Sequence, residues 1–267
     1  MERISSRQNA VAKQLRALAH AGSTGDEILL DGPHLLEEAL GCGVDVRLAV
    51  FAENARTDRL SSLADRTERA GIRTFAAADA LFSTLSPVRE PSGVVAVARR
   101  PSVTLDEALE RAPQLVLVLD GVQDPGNVGA IIRTAEACGA TAVIVTLGSA
   151  DPFGWKALRG AMGSSLRLPV VARAAISATL PVLRASGIRI VATVPRSGRA
   201  PAELDLLAPT AIVLGGEGAG LADGVLQQTD ERLSVPMRPP VESLNVATAA
   251  AIVLYEAFRQ RSDVTLR

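Results

Sequence analysis

The chain has 267 residues, 48% hydrophobic and 21% charged, with a formal net charge of -1. These values fit one large globular domain or two ordinary ones, exclude a disordered chain, and give no global sign of nucleic-acid binding. No apolar run reaches the ~18 residues of a membrane helix, and the polar start MERISSRQNA carries no signal-peptide core, so the expected location is cytoplasmic.

The first hundred residues alternate helices and strands. A helix is predicted over 4–20, a short strand at Ile28–Leu30 and a helix from Pro33 to Leu40 with proline in its first turn. A strand follows at Val46–Phe51, then a helix Arg59–Ala70 stopped by Gly71, and strands at Ile72–Phe75 and Gly93–Ala98. The stretch RRPSVT, 99–104, reads as a boundary, and Thr104-Leu-Asp-Glu107 as a capping box opening a short helix. A second series then begins: strand Leu115–Leu119, helix Asn127–Cys138, strand Ala142–Thr146, helix Trp155–Met162 and helix Leu180–Ala185. Strands at Ile188–Val194, Ala211–Leu214 and Leu233–Met237 follow, with a long final helix Ser243–Gln260. That helix is apolar or small nearly all round from Val246 to Leu254, which predicts burial on more than one side, the second supplied by a dimer interface. Such alternation predicts an α/β fold with parallel pairing.

Cys42 and Cys138 lie far apart without metal-ligand spacing and read as buried thiols. His20 and His34 are the only histidines, which disfavours a histidine metal site or a Ser-His-Asp triad; no metal is expected. Only Lys13 and Lys156 are lysines. The first twenty residues carry Arg3, Arg7, Lys13 and Arg16 against Glu2, a local excess of three positive charges that RNA contact and a solvated helix face explain equally well.

Residues 214–221, LGGEGAGL, form a glycine-rich turn between a strand and a helix. The turn is not a P-loop, because no Lys-Ser/Thr follows, and not a dinucleotide fingerprint, because its third glycine would fall at Leu221. Two more stretches give it context. In DPGNVGAIIR, 124–133, a short loop after a strand carries Asn127 and Gly129 into a helix whose first turns hold Arg133. The helix dipole disfavours a cation there, so an anionic partner is the better explanation of that arginine. In VPMRPPVESLNV, 235–246, a proline-rich turn leads to Ser243 and Asn245, good capping residues for the last helix.

Taken together, DPGNVGAIIR, LGGEGAGL and VPM…VESLNVATAAA resemble the SpoU/TrmH family of RNA ribose 2'-O-methyltransferases in the SPOUT superfamily, over about residues 114–260. RGAMGSSLRLPV, 159–170, also resembles a family segment. The resemblance implies a C-terminal α/β trefoil-knot methyltransferase domain at 113–267, a linker at 101–112 and a smaller N-terminal α/β domain at 1–100. This smaller domain resembles the family's ribosomal-protein-like RNA-binding domain, chiefly through ILLDGPHLLEEAL. It implies S-adenosylmethionine held by Thr193, Leu214, Gly215, Gly218, Val235, Met237 and Leu244, with catalytic roles for Arg133, Asn127, Glu217, Ser243 and Asn245. RNA contact falls to Arg3, Arg7, Lys13, Arg16 and Arg159. The implied partners are a second copy of the chain and RNA, ribosomal RNA of the large subunit (23S) ahead of transfer RNA. Base methylation and a catalytically silent RNA-binding or ribosome-assembly protein are the alternatives.

Some accounts of the family make the arginine matched by Arg133 a general base. A guanidinium stays protonated in proteins, so an electrostatic partner for a substrate phosphate and developing alkoxide is the better role. Four features depart from the family pattern. Gly216 stands where a polar residue is common, Pro239 where glycine is common, and Ala161 where serine is frequent. The loop HAGSTGDE lacks the basic residues often found there.

Overall fold

Short β-branched runs bounded by glycine and proline turns form strands of two to seven residues, which pair into two sheets of six strands each. The computed structural model describes residues 1–21, 23–54, 57–112 and 114–265, with all their side chains except those of 21, 23, 24 and 263–265. The chain divides into two units, Met1–Pro101 with Phe153–Arg167, and Ser102–Pro152 with Leu168–Arg267.

The first unit runs β1 (Glu2–Ile4), α1 (Ala10–Ala21), β2 (Ser23–Thr24), β3 (Glu27–Asp31), α2 (Pro33–Gly41), β4 (Val46–Ala52), α3 (Asp58–Arg69), β5 (Arg73–Ala77), α4 (Asp79–Phe82) and β6 (Val94–Arg99). Its sheet has the order β1-β5-β4-β6-β3-β2. β1, β5 and β4 pair in parallel, and the β4–β6–β3–β2 side is antiparallel. Local chemistry sets the ends of its helices. Thr57 Oγ1 accepts from Leu60 N–H at 3.2 Å to start α3, and Pro33 fixes the first turn of α2. The helix predicted over 4–20 is shorter than expected. Ile4 is buried in β1 beside Ala77, and Asn9 Oδ1, accepting from Val11 N–H at 2.8 Å, starts α1 only at Ala10. The HAGSTGDE loop lies partly outside the described residues.

The second unit contains α5 (Leu105–Leu109), β7 (Leu115–Asp120), α6 (Pro125–Ala137) and β8 (Ala142–Thr146). Two short helices, α7 (Trp155–Ala161) and α8 (Ser164–Arg167), belong to the first unit. Back in the second unit come β9 (Val170–Ala174), α9 (Ile176–Ala185), β10 (Arg189–Thr193), a 3-10 turn Pro201–Glu203, β11 (Thr210–Gly215), α10 (Asp223–Leu226), β12 (Glu231–Leu233) and α11 (Val246–Thr265). All pairs in its sheet are parallel, in the order β12-β10-β11-β7-β8-β9. β7 and β11, central in the sheet, are apolar through Leu119 and Leu214, as a strand covered on both faces requires.

Three expectations need correction here. The strand placed at Leu233–Met237 ends at Leu233, because Pro236 and the proline-rich turn supply no ladder donors. Residues 101–112 are not a free linker: Ala108 and Leu109 of α5 are buried in the core with Val116, Val118 and Ile144. Residues 153–167, expected in the C-terminal domain, fold with the first unit. Trp155 Nε1 donates to the Ala19 carbonyl at 3.1 Å, and its ring packs against the core built on Leu15 and Leu18.

Arg159 of α7 anchors the same excursion. Its Nη1 lies 2.9 Å from Asp31 Oδ1, and Ser86 Oγ donates to Asp31 Oδ2 at 2.6 Å. The Asp31 side chain is only 1% exposed, so these two donors take the place of the water it has lost. Arg159→Ala leaves a buried carboxylate with one partner, and we expect about 1–3 kcal/mol of lost stability in denaturant unfolding. Arg159→Lys should recover part of that loss.

Candidate functional site

The C-terminal ends of β10, β11 and β12 and the start of α11 enclose a cleft of about 410 Å³. A parallel sheet places ligands at this end of its strands. The cleft is lined by Thr193 and Val194 after β10, Leu214 to Gly218 after β11, Val235 and Met237 beyond β12, and Ser243 to Val246 at the head of α11. All seven residues expected to hold a cofactor (Thr193, Leu214, Gly215, Gly218, Val235, Met237 and Leu244) line this one cleft. Sequence reasoning does not single out Val194, Pro195, Ala249 and Val253, which complete the apolar wall. Their only signal is position, just beyond a strand end or one or two turns into a helix.

The glycines of 214–221 serve two different needs. Gly218 and Gly220 have φ of +92° and +66°, which L side chains rarely adopt, and a Cβ there would meet nothing within 4 Å. Gly215 and Gly216 are small because the chain passes close to itself. A Cβ on Gly215 would sit 2.6 Å from Gly220 C, and one on Gly216 would run into the Gly121 carbonyl oxygen. The neck is closed by Gly216 N–H on Asp120 O at 2.9 Å and Gly220 N–H on Gly216 O at 3.2 Å. The departure noted at Gly216 thus has a packing reason: no side chain fits beside Gly121.

Polar side chains from the three loops meet in a relay. α6 begins with Asp124 Oδ1 accepting from Asn127 N–H at 2.9 Å, which faces the Asn127 side chain toward the glycine loop. Asn127 Nδ2 donates to Glu217 Oε1 at 2.6 Å, and Gln123 N–H donates to Glu217 Oε2 at 3.2 Å. Asn245 Nδ2 donates to Asn127 Oδ1 at 3.1 Å, while Asn245 Oδ1 caps α11 by accepting from Ala247 and Thr248 N–H at 2.9 and 3.3 Å. Partial burial pulls the Glu217 carboxyl upward, but the Asn127 amide and the backbone N–H groups of Glu217 and Gln123 outweigh it. The net shift is down, so the carboxylate is ionised at neutral pH and loses its charge only as pH falls through the depressed value.

Of the five residues expected to be catalytic, Asn127, Glu217 and Asn245 are joined by this relay, and Ser243 lines the cleft beside Leu244. Arg133 stands apart. It is exposed on α6, six residues and about 9 Å along the axis from Asn127, and makes no hydrogen bond or ion pair with the described residues. Pro239, the second departure in these loops, precedes Pro240 through a cis peptide bond.

Of the expected RNA contacts, Arg7, Lys13 and Arg16 have no partner among the described residues. Arg3 pairs with Glu53 at 2.6 Å and Arg159 with Asp31. The described residues hold no group of three or more His, Cys, Asp or Glu able to bind a metal, and none of their helices is long and apolar enough to cross a membrane.

The match to known proteins covers both the loops and the rest of the chain. Residues 114–255 match the model of the SpoU rRNA Methylase family. The chain is 36% identical to an uncharacterized tRNA/rRNA methyltransferase of Synechocystis, over 97% of this chain and 94% of that one. It is 35% identical to the 23S rRNA (guanosine(2553)-2'-O)-methyltransferase of Bacillus subtilis, over 96% of this chain and 98% of that one. Among solved structures, the SpoU methyltransferase AviRb of Streptomyces viridochromogenes in complex with AdoMet superposes with a TM-score of 0.82 at 32% identity, covering 96% of this chain and all of that one.

The glycine neck gives a direct test. Gly216→Ala drives a methyl into the Gly121 carbonyl and should cost about 1–3 kcal/mol, with weakened cofactor binding by calorimetry. Gly218→Ala has space and bears only the conformational cost of about 1–2 kcal/mol, so the two variants should differ most in ligand affinity.

Proposed function

Because the chain belongs to the SpoU rRNA Methylase family, we propose that it transfers a methyl group from S-adenosylmethionine to a ribose 2'-hydroxyl of structured RNA, with 23S ribosomal RNA as substrate. The observation that carries this reading is the convergence of three distant loops, through Asn127, Glu217 and Asn245, beside a cleft of nucleoside size. The residues present fit the cofactor. The wall is apolar, Gly215 and Gly216 keep the loop neck free of side chains, and Thr193 and Ser243 offer hydroxyls. When bound, S-adenosylmethionine supplies a methyl carbon whose bond to a sulfonium breaks as the carbon–oxygen bond forms, leaving a neutral thioether.

The chain's own task is then alignment, which in favourable cases supplies roughly 7–11 kcal/mol, and management of charge and a proton. Asn127, Ser243 and Asn245 orient the ribose. Arg133, exposed and without an internal partner among the described residues, offers a planar fork to an RNA phosphate beside the reacting ribose. Arg7, Lys13 and Arg16 in the first unit receive other phosphates of the RNA. The stretches 214–221 and 235–246 would be the knot loops of the family's fold.

The decisive experiment supplies methyl-labelled S-adenosylmethionine to the chain with protein-free ribosomal RNA and, separately, transfer RNA, followed by alkaline digestion. Ribose label survives in dinucleotides and is expected with ribosomal RNA. Label in mononucleotides would instead mean base methylation, and label with transfer RNA alone would move the substrate class. Arg133→Lys should lower turnover about tenfold or more with cofactor affinity unchanged.

The chain acts as a homodimer in this reading. α11 buries Ala250, Val253, Leu254 and Ala257 on one side, yet Ile252, Tyr255 and Phe258 on the other remain 41%, 63% and 43% exposed. Three large apolar side chains on one helix call for cover. Tyr255→Asp should shift the sedimentation coefficient from dimer to monomer.

A further inference from the structure

Methylating a hydroxyl releases one proton, and the residues around the cleft differ in their capacity to take it. Ser243, Asn245 and Asn127 offer only neutral hydroxyl and amide oxygens. A guanidinium such as that of Arg133 has donors only and no acceptor for a proton. Among the residues lining the cleft, Glu217 alone has an ionisable side chain. Given the ribose methyltransferase reading on which it rests, we infer that the Glu217 carboxylate is the general base that takes the 2'-hydroxyl proton.

The geometry suits that role. Oε1 accepts from Asn127 Nδ2 and Oε2 from the Gln123 N–H, and the Glu217 N–H also bonds the carboxylate. A carboxylate offers about four lone-pair sites, so one is left for a further donor. Glu217 is exposed where it borders the cleft, so an incoming hydroxyl can reach it. The relay also fixes the Asn127 amide, whose nitrogen faces Glu217 and whose oxygen is occupied by Asn245. Asn127 therefore positions the base.

A carboxylate of depressed pKa is a poor base toward a free alcohol but an adequate one here. As the 2'-oxygen uses a lone pair to form its bond to the methyl carbon, it takes on oxonium character and its proton becomes strongly acidic. That proton passes to a Glu217 oxygen, the O–H bonding pair stays on the 2'-oxygen, and the product is a neutral ether. Glu217 is left as a neutral acid and returns its proton to water after product release. The low pKa then becomes useful, since it keeps the base charged and ready at neutral pH.

The full chain tests this as wild type, Glu217→Gln, Glu217→Ala and Asn127→Ala, with labelled S-adenosylmethionine and the RNA that wild type methylates. Absence of alkali-resistant label with wild type would overturn the methyltransferase reading itself, separately from the role of Glu217. With wild type active, both Glu217 variants should lose about 100-fold or more in turnover while calorimetric cofactor affinity holds within about threefold. Formate should restore the alanine variant saturably, in its ionised form. A readout free of turnover uses the S-adenosylhomocysteine complex and an RNA oligonucleotide spanning the mapped nucleotide. Wild type should prefer it about tenfold over its single 2'-deoxy counterpart, the size of one charged hydrogen bond, and Glu217→Gln should lose that preference. Turnover of Glu217→Gln within about threefold of wild type would overturn the inference. So would an absence of formate rescue with Asn127→Ala matching Glu217→Ala in both readouts, because Glu217 would then act only by holding Asn127.

Discussion

One amide holds the site together. Asn127 lies 90 residues before Glu217 and 118 before Asn245, yet its nitrogen and oxygen bind one of each. An amide has two different ends, so the relay has a direction: carboxylate, asparagine, asparagine, helix cap. Reversing the amide would place oxygen against the Glu217 carboxylate, and that repulsion fixes its orientation. The cap of α11, the start of α6 and the glycine loop therefore share one arrangement beside the cleft.

Backbone packing gives that arrangement its floor. The parallel sheet brings Asp120 and Gly215 side by side at the ends of β7 and β11, where the next residues, Gly121 and Gly216, pass within contact of each other. With glycine at both positions, the loop can fold back over the strand ends and deliver Glu217 toward α6. Thr146 Oγ1 on Asp120 Oδ1 at 2.7 Å and Ser149 Oγ on Leu119 O at 3.0 Å tie the neighbouring strand end to the same floor.

Much of this is legible in the sequence because it depends on local signals. The run Ala142–Thr146 lies between Gly139 and Gly148, and β8 has those limits. The residues that the family resemblance implies for the cofactor all fall at or beyond strand ends or at the head of a helix, where they line one cleft. Side-chain partners across long distances carry no mark in the sequence. Nothing in the string pairs Arg159 with Asp31 or shows that Arg3 is engaged by Glu53. Short edge elements are also invisible: β1 and β2 have three and two residues, too few for a period, and β9 escapes notice because Pro169 and Arg173 obscure its alternation. The strand expected through Met237 fails for another reason: Val235 and Met237 look like strand residues, but Pro236 between them supplies no ladder donor.

The excursion of residues 153–167 has a consequence for how this chain can be cut or recombined. Its two units are not consecutive along the backbone, because the first borrows α7 and α8 from between two strands of the second. A fragment starting after Pro101 would carry Trp155, Ala157, Leu158 and Ala161 without the core that buries them. A fragment ending there would lack the arginine that neutralises Asp31. Transplanting the first unit onto another catalytic domain would therefore need the insertion to travel with it. During synthesis, too, the first unit stays incomplete until more than half of the chain has emerged.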